Sequence, residues 1–85
     1  MEVTTIFTKV NGRSYKEYFK GSQKDAYNIT AQLNKRATAK GFKRHYDGCG
    51  NMGTTIKYYN KEYTVYIHIC NSQREVDMFR FIYNS

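Results

Sequence analysis

Residues 54–70 read T-T-I-K-Y-Y-N-K-E-Y-T-V-Y-I-H-I-C, two runs of β-branched and aromatic residues on either side of Asn60-Lys61. Such runs around a short polar break predict a β-hairpin. A two-residue loop sets Tyr59 opposite Glu62, Tyr58 opposite Tyr63, Lys57 opposite Thr64, Ile56 opposite Val65 and Thr55 opposite Tyr66. Side chains alternate between the faces of a strand, so this register sorts the hairpin into two surfaces. Thr54, Ile56, Tyr58, Tyr63, Val65 and Ile67 make a face apolar enough for a core. Thr55, Lys57, Tyr59, Thr64, Tyr66 and His68 make an aromatic, cationic and hydrogen-bonding one.

Upstream, residues 2–10 alternate weakly and end at Asn11-Gly12, a pair that tolerates positive φ at both positions and so marks a hairpin turn. Residues 13–19 are the expected returning strand. That register groups Ile6, Thr8 and Val10 with Tyr15 and Phe19, and Val3, Thr5 and Phe7 with Ser14, Lys16 and Tyr18. Ser22 then offers an N-cap, with Asp25 in the first turn where negative charge suits the helix dipole. Ala26, Ile29, Thr30, Leu33 and Ala37 recur at spacings of three and four, which predicts a helix over residues 23–40 closed by Gly41 at C′.

Residues 42–47 read as a short strand, and the glycine-rich stretch 47–53 as a wide turn before the central hairpin. The tail carries two signals. Ser72 with Glu75 is a capping box, which favours a helix. Residues 76–83, V-D-M-F-R-F-I-Y, are dense in strand formers, which favours a last strand. The strand is the preferred expectation and the helix the alternative. The chain therefore predicts one small α+β domain over residues 1–85, in the order β-β-α-β-β-β(-β), with one amphipathic helix packed on an antiparallel sheet in two layers. With a helical tail, the part from Ser22 onward reads α-β-β-β-α, which shares its element order, and only that, with double-stranded-RNA-binding domains.

Charge changes this picture from fold toward partners. The chain has 14 Lys+Arg against 7 Asp+Glu, a formal charge of +7. Residues 13–44 hold nine of those cations against Glu17 and Asp25, and so the whole +7. The densest part, residues 34–44, contains Lys35, Arg36, Lys40, Lys43 and Arg44 without a carboxylate. Such clusters bind phosphates with salt-sensitive, sequence-independent affinity. Cations at a helix C-terminus also complement its dipole, at about 0.3–1 kcal/mol each, which explains Lys35, Arg36 and Lys40 but not Lys43 and Arg44. The hairpin's polar face adds Lys57, Tyr59, Tyr66 and His68, residue types on which bases stack in sheet-based binders.

Other chemistry is thinner. His45, Cys49, His68 and Cys70 supply the ligand types of a structural zinc site, at spacings that match no standard module. The glycine stretch lacks the lysine and hydroxyl residue of a phosphate cradle and runs into a strand rather than a helix. Seven carboxylates are scattered, and no group orients a Cys49–His45 pair. The expectation is therefore a non-enzymatic module without metal or cofactor. No stretch resembles a signal peptide or a membrane span, and two cysteines in such a chain suggest reduced thiols in a cytoplasmic setting.

Two functions fit. The first is a nucleic-acid-binding module, for DNA or RNA, whose contacts are Lys35, Arg36, Lys40, Lys43 and Arg44, with Lys57, Tyr59, Tyr66 and His68 beside them. The second is a protein-binding inhibitor or adaptor docking on an acidic surface or a nucleoprotein complex. Small Lys-, Asn- and Tyr-rich proteins of phages and mobile elements that block host defence complexes are of this kind. Open edges on the first and last strands would also permit a homodimer.

Overall fold

Ser22 ends a strand and starts a helix in one residue: its Oγ accepts a hydrogen bond from the Asp25 amide at 3.2 Å. The structure, a computed structural model, describes residues 3–50 and 53–83, except for the side chains of residues 47–50. Its elements are β1 (Val3–Val10), β2 (Lys16–Ser22), α1 (Gln23–Ala39), β3 (Lys43–Gly50), β4 (Gly53–Tyr59), β5 (Thr64–Cys70) and α2 (Gln73–Tyr83). The strands form one antiparallel sheet in the order β2-β1-β5-β4-β3. The expected α+β architecture, with its amphipathic helix on an antiparallel sheet, is the one observed.

Helix α1 leaves one edge strand, β2, and ends beside the other, β3. Seventeen residues at ~1.5 Å each span ~25 Å, enough to cross the ~19 Å of four strand spacings. It ends as its sequence predicts. Gly41, at φ +81, lets the Phe42 amide donate to Ala37 O at 3.0 Å and its own amide to Thr38 O at 3.1 Å, a Schellman closure. The stripe Ala26, Ile29, Leu33 and Ala37 packs on Ile6, Ile56, Tyr58 and Ile67 to form the first core.

The central hairpin departs from its expected register. Tyr59 pairs with Thr64, Tyr58 with Val65, Lys57 with Tyr66, Ile56 with Ile67 and Thr55 with His68. The loop is four residues long because Asn60 Oδ1 accepts from the amides of Glu62 at 2.8 Å and Tyr63 at 2.7 Å. A two-residue primed turn needs positive φ at its central positions, which neither Asn60 nor Lys61 adopts. Tyr63 consequently lies in the loop, exposed, and not on the core face. The register differs from the expected one by two residues, which preserves parity, so every other face assignment in the hairpin holds.

In the first hairpin Asn11 and Gly12 both take positive φ, and the Arg13 amide donates to Val10 O at 3.1 Å. The returning strand, however, begins at Lys16, and a bulge follows between the Ile6 and Phe7 pairings. Residues 13–15 leave the ladder so that Tyr15 can bury itself on the face opposite Ile6, against Phe79. Strand β3 likewise runs on through Gly50, so much of the expected glycine turn is strand.

The tail is α2, not a sixth strand. The capping box closes it: the Glu75 amide donates to Ser72 Oγ at 3.2 Å, and the Asn71 amide donates to Glu75 Oε2 at 2.7 Å. Val76 and Phe79, one turn apart, are buried against Phe7, Tyr15 and Cys70 in a second core. Thus α2 adds a partial third layer on the face away from α1. The first and last strands are not edges either. β1 and β5 pair with each other at the centre, which leaves β2 and β3 outermost.

Candidate nucleic-acid interface

Helix α2 covers only one end of its face of the sheet. Beneath it His68 is 3% exposed, stacked on Phe79 with ring centroids 4.0 Å apart, and its Nδ1 shares a 2.6 Å hydrogen bond with Thr55 Oγ1. His68, expected at the interface, is therefore part of the second core. Beyond α2 the same face continues toward the 60–63 loop. There one row of the ladder reads Lys9, Tyr66, Lys57, His45 across β1, β5, β4 and β3. The next row holds Thr64, Tyr59 and Lys43. Neither row contains a carboxylate.

The cations and rings of these rows interlock. Lys9 Nζ lies 4.6 Å from the centre of the Tyr15 ring and 4.7 Å from that of Tyr66. Lys57 Nζ lies 5.1 Å from Tyr59 and 6.0 Å from Tyr66. At partly exposed sites each such contact contributes about 0.5–1 kcal/mol. The result is a ladder of alternating tyrosine and lysine, half-buried at its base and open above. At its loop end, Gly41, Lys43, Tyr59, Asn60 and Lys61 line a cavity of about 400 Å³ that puts two more ammonium groups beside a tyrosine.

The basic helix end and the start of β3 supply the expected cation cluster. Lys43 and Arg44 are consecutive in a strand and therefore face opposite ways. Lys43 joins Tyr59 on the open face, whereas Arg44 pairs with Tyr58 on the α1 face. Arg36 and Lys40, one turn apart on α1, border a groove of about 230 Å³ floored by Phe42, Tyr58 and Val65. Lys35 is exposed on α1. Of the five cations, Lys43 and Arg44 thus lie on opposite faces of β3, while Arg36 and Lys40 border a groove over β4 and β5 on the α1 face. Among the described residues none of them is in an ion pair, and the pair that is present, Arg80 with Glu17 at 3.2 Å, lies at the opposite edge.

Burial sets the titration of two groups nearby. Tyr58 donates its hydroxyl proton to Asn34 Oδ1 at 2.8 Å, and burial raises its pKa against the opposing charge of Arg44. Cys70, in the second core, is pushed from its ordinary 9.0 to about 12 by burial, reinforced by Glu75 and opposed by Arg80. Its thiol stays protonated at neutral pH and is a poor nucleophile or metal ligand. Cys70 and His68 share the α2 face, while His45 stands in the exposed row and the Cys49 side chain lies outside the described residues. Among the described residues no three His, Cys, Asp or Glu side chains converge on a metal-sized site. No described helix is long and apolar enough to cross a membrane.

Sequence reasoning overlooked Lys9 and Lys61. Lys9 alternates with Phe7 and Thr5 and so belongs to their face, but its meeting with Tyr66 depends on the β1–β5 pairing, which no local signal announces. Lys61 is hidden by its role as an expected turn residue. Compared with known protein families, curated proteins and solved structures, the chain matches none.

Proposed function

We propose that this chain is a small, non-enzymatic nucleic-acid-binding module. The observation that carries the proposal is the carboxylate-free pair of rows on the open half-face, where Lys9, Lys57 and Lys43 alternate with Tyr66 and Tyr59. Lysines there supply phosphate contacts, and tyrosines supply surfaces on which bases stack. Lys35, Arg36, Lys40 and Arg44, on α1 and on the α1 face of the sheet, add to the positive field of the molecule. His68 is left out of the contact set because α2 buries it. Gel-shift titration with single- and double-stranded DNA and RNA at low salt tests the proposal. Retardation is expected at or below ~100 µM protein, the weak end of non-specific affinities, and its absence for every probe rejects the proposal.

A second reading, a protein-binding inhibitor or adaptor, draws on a separate observation. Helix α2 turns Met78, Phe81 and Ile82 outward at helical spacing, and Phe81 is 82% exposed. Aromatic side chains in such positions are common hot spots of protein interfaces. Here Phe81→Asp should abolish partner capture from cell extract after nuclease treatment while leaving any retardation of nucleic acid unchanged.

A further inference from the structure

We infer that the open half-face takes single-stranded nucleic acid, with one base stacked on Tyr59, the next on Tyr66, and the phosphates between and beside them on Lys9, Lys43 and Lys57. This rests on the nucleic-acid-binding reading and names the form of nucleic acid it concerns.

Three observations lead to it. First, Tyr59 and Tyr66 are diagonal neighbours on adjacent strands, because Tyr59 pairs with Thr64 and Lys57 with Tyr66. Same-face diagonal neighbours stand ~7–8 Å apart. Neighbouring bases in a duplex strand are stacked at ~3.4 Å, so two rings rising from positions this far apart suit bases that have been splayed apart. Second, both tyrosines are half-buried, so part of each side chain stays open to solvent. A duplex keeps its bases within its own stack and could bring only phosphates to this surface, leaving both rings idle.

Third, the lysines are placed to act as movable covers. Lys57 Nζ lies within 5.1 Å of the Tyr59 ring centre and 6.0 Å of the Tyr66 ring centre, and Lys9 Nζ within 4.7 Å of the latter. A phosphate is a stronger partner for an ammonium group than a ring face is. As the backbone of a single strand approaches, each lysine can swing from ring to phosphate, uncovering the ring for the base attached to it. One movement provides both the electrostatic contact and the stacking surface. Helix α2 closes the far end of the platform, since Phe79 and Tyr83 already pack on Tyr15 with centroids 4.7 and 5.6 Å away. The platform therefore offers two rings, not three.

The test is fluorescence anisotropy with a short labelled oligothymidylate, a duplex of equal length, and inorganic polyphosphate, on the whole chain. Tyr59→Leu and Tyr66→Leu keep bulk but remove the ring, whereas Tyr59→Phe and Tyr66→Phe keep the ring. Each leucine substitution is expected to weaken the single strand roughly 5- to 150-fold, while duplex and polyphosphate affinities stay within twofold and the phenylalanine variants bind like the parent. If the leucine variants hold the single strand as tightly as the parent, or the parent prefers the duplex, the inference is overturned while phosphate binding stands. If no probe binds, the nucleic-acid reading itself falls.

Discussion

Cys70 shows how a residue's surroundings decide its chemistry. Its folded-state pKa near 12 exceeds the 9.0 of the exposed thiol, so the folded state holds the proton more tightly than the unfolded chain does. The stability that follows is fully present below pH 9 and is lost as pH rises toward 12. Tyr58, also raised by burial, acts in the same direction at alkaline pH. Thermal melts from pH 7 to pH 12 should therefore fall steeply above about 9, and less steeply in Cys70→Ala. In a Cys49→Ser background, Cys70 should react with a thiol reagent only as fast as the protein opens. Prompt labelling of the native state at pH 8 would show that the thiol is not buried. Gly53 illustrates the same dependence in the backbone. It holds φ +116, and a Cβ there would run into the Ile69 carbonyl oxygen. Gly53→Ala should cost ~1–3 kcal/mol in urea unfolding, through backbone strain at the start of β4.

Helix α2 is the element on which the shape of the open face depends. At 11 residues it is too short to be stable alone in water, so it persists through its cap and its packing. Phe79 is buried against Phe7, Tyr15, His68 and Tyr83. Phe79→Ala should cost ~3–5 kcal/mol, and Ser72→Ala ~1 kcal/mol, by equilibrium denaturation. An equal cost for the two would mean that the helix is held by its end rather than by its face. Legibility in the sequence divides along this same line. The α1 stripe, its Ser22 cap and its Gly41 closure are local signals, and each was realised. The central hairpin was readable in its faces though not in its register, because Asn60 stretches the loop by an even number of residues. In the tail the alternative helix is realised and the preferred strand is not, because strand formers at 76–83 compete with a capping box. The winner is set by a distant surface, Phe7 and Tyr15, that Phe79 can reach only from a helix.

At the scale of the molecule, the sheet order determines which cations meet which rings. The cluster at residues 34–44 was visible as composition, but Lys43 and Arg44 part to opposite faces. Lys9 joins the candidate interface only because β1 lies beside β5. Hairpins can be read from turns, whereas a pairing between residues some sixty positions apart leaves no local mark. If both faces of the sheet engage the phosphate backbone, Lys9→Glu with Lys57→Glu and, separately, Arg36→Glu with Lys40→Glu should each weaken binding of all sequences alike. Each lost contact should lower the salt slope by about 0.7 on a single strand. An unchanged slope in the second pair would confine binding to the open face.

The most direct measurement is the affinity for a single-stranded oligonucleotide as a function of salt. Phosphate contacts from Lys9, Lys43 and Lys57 predict that log K falls linearly with log salt at a slope of about −2, through release of condensed counterions. A flat dependence, or no binding at low salt, would contradict a phosphate-binding role for this lysine-and-tyrosine surface.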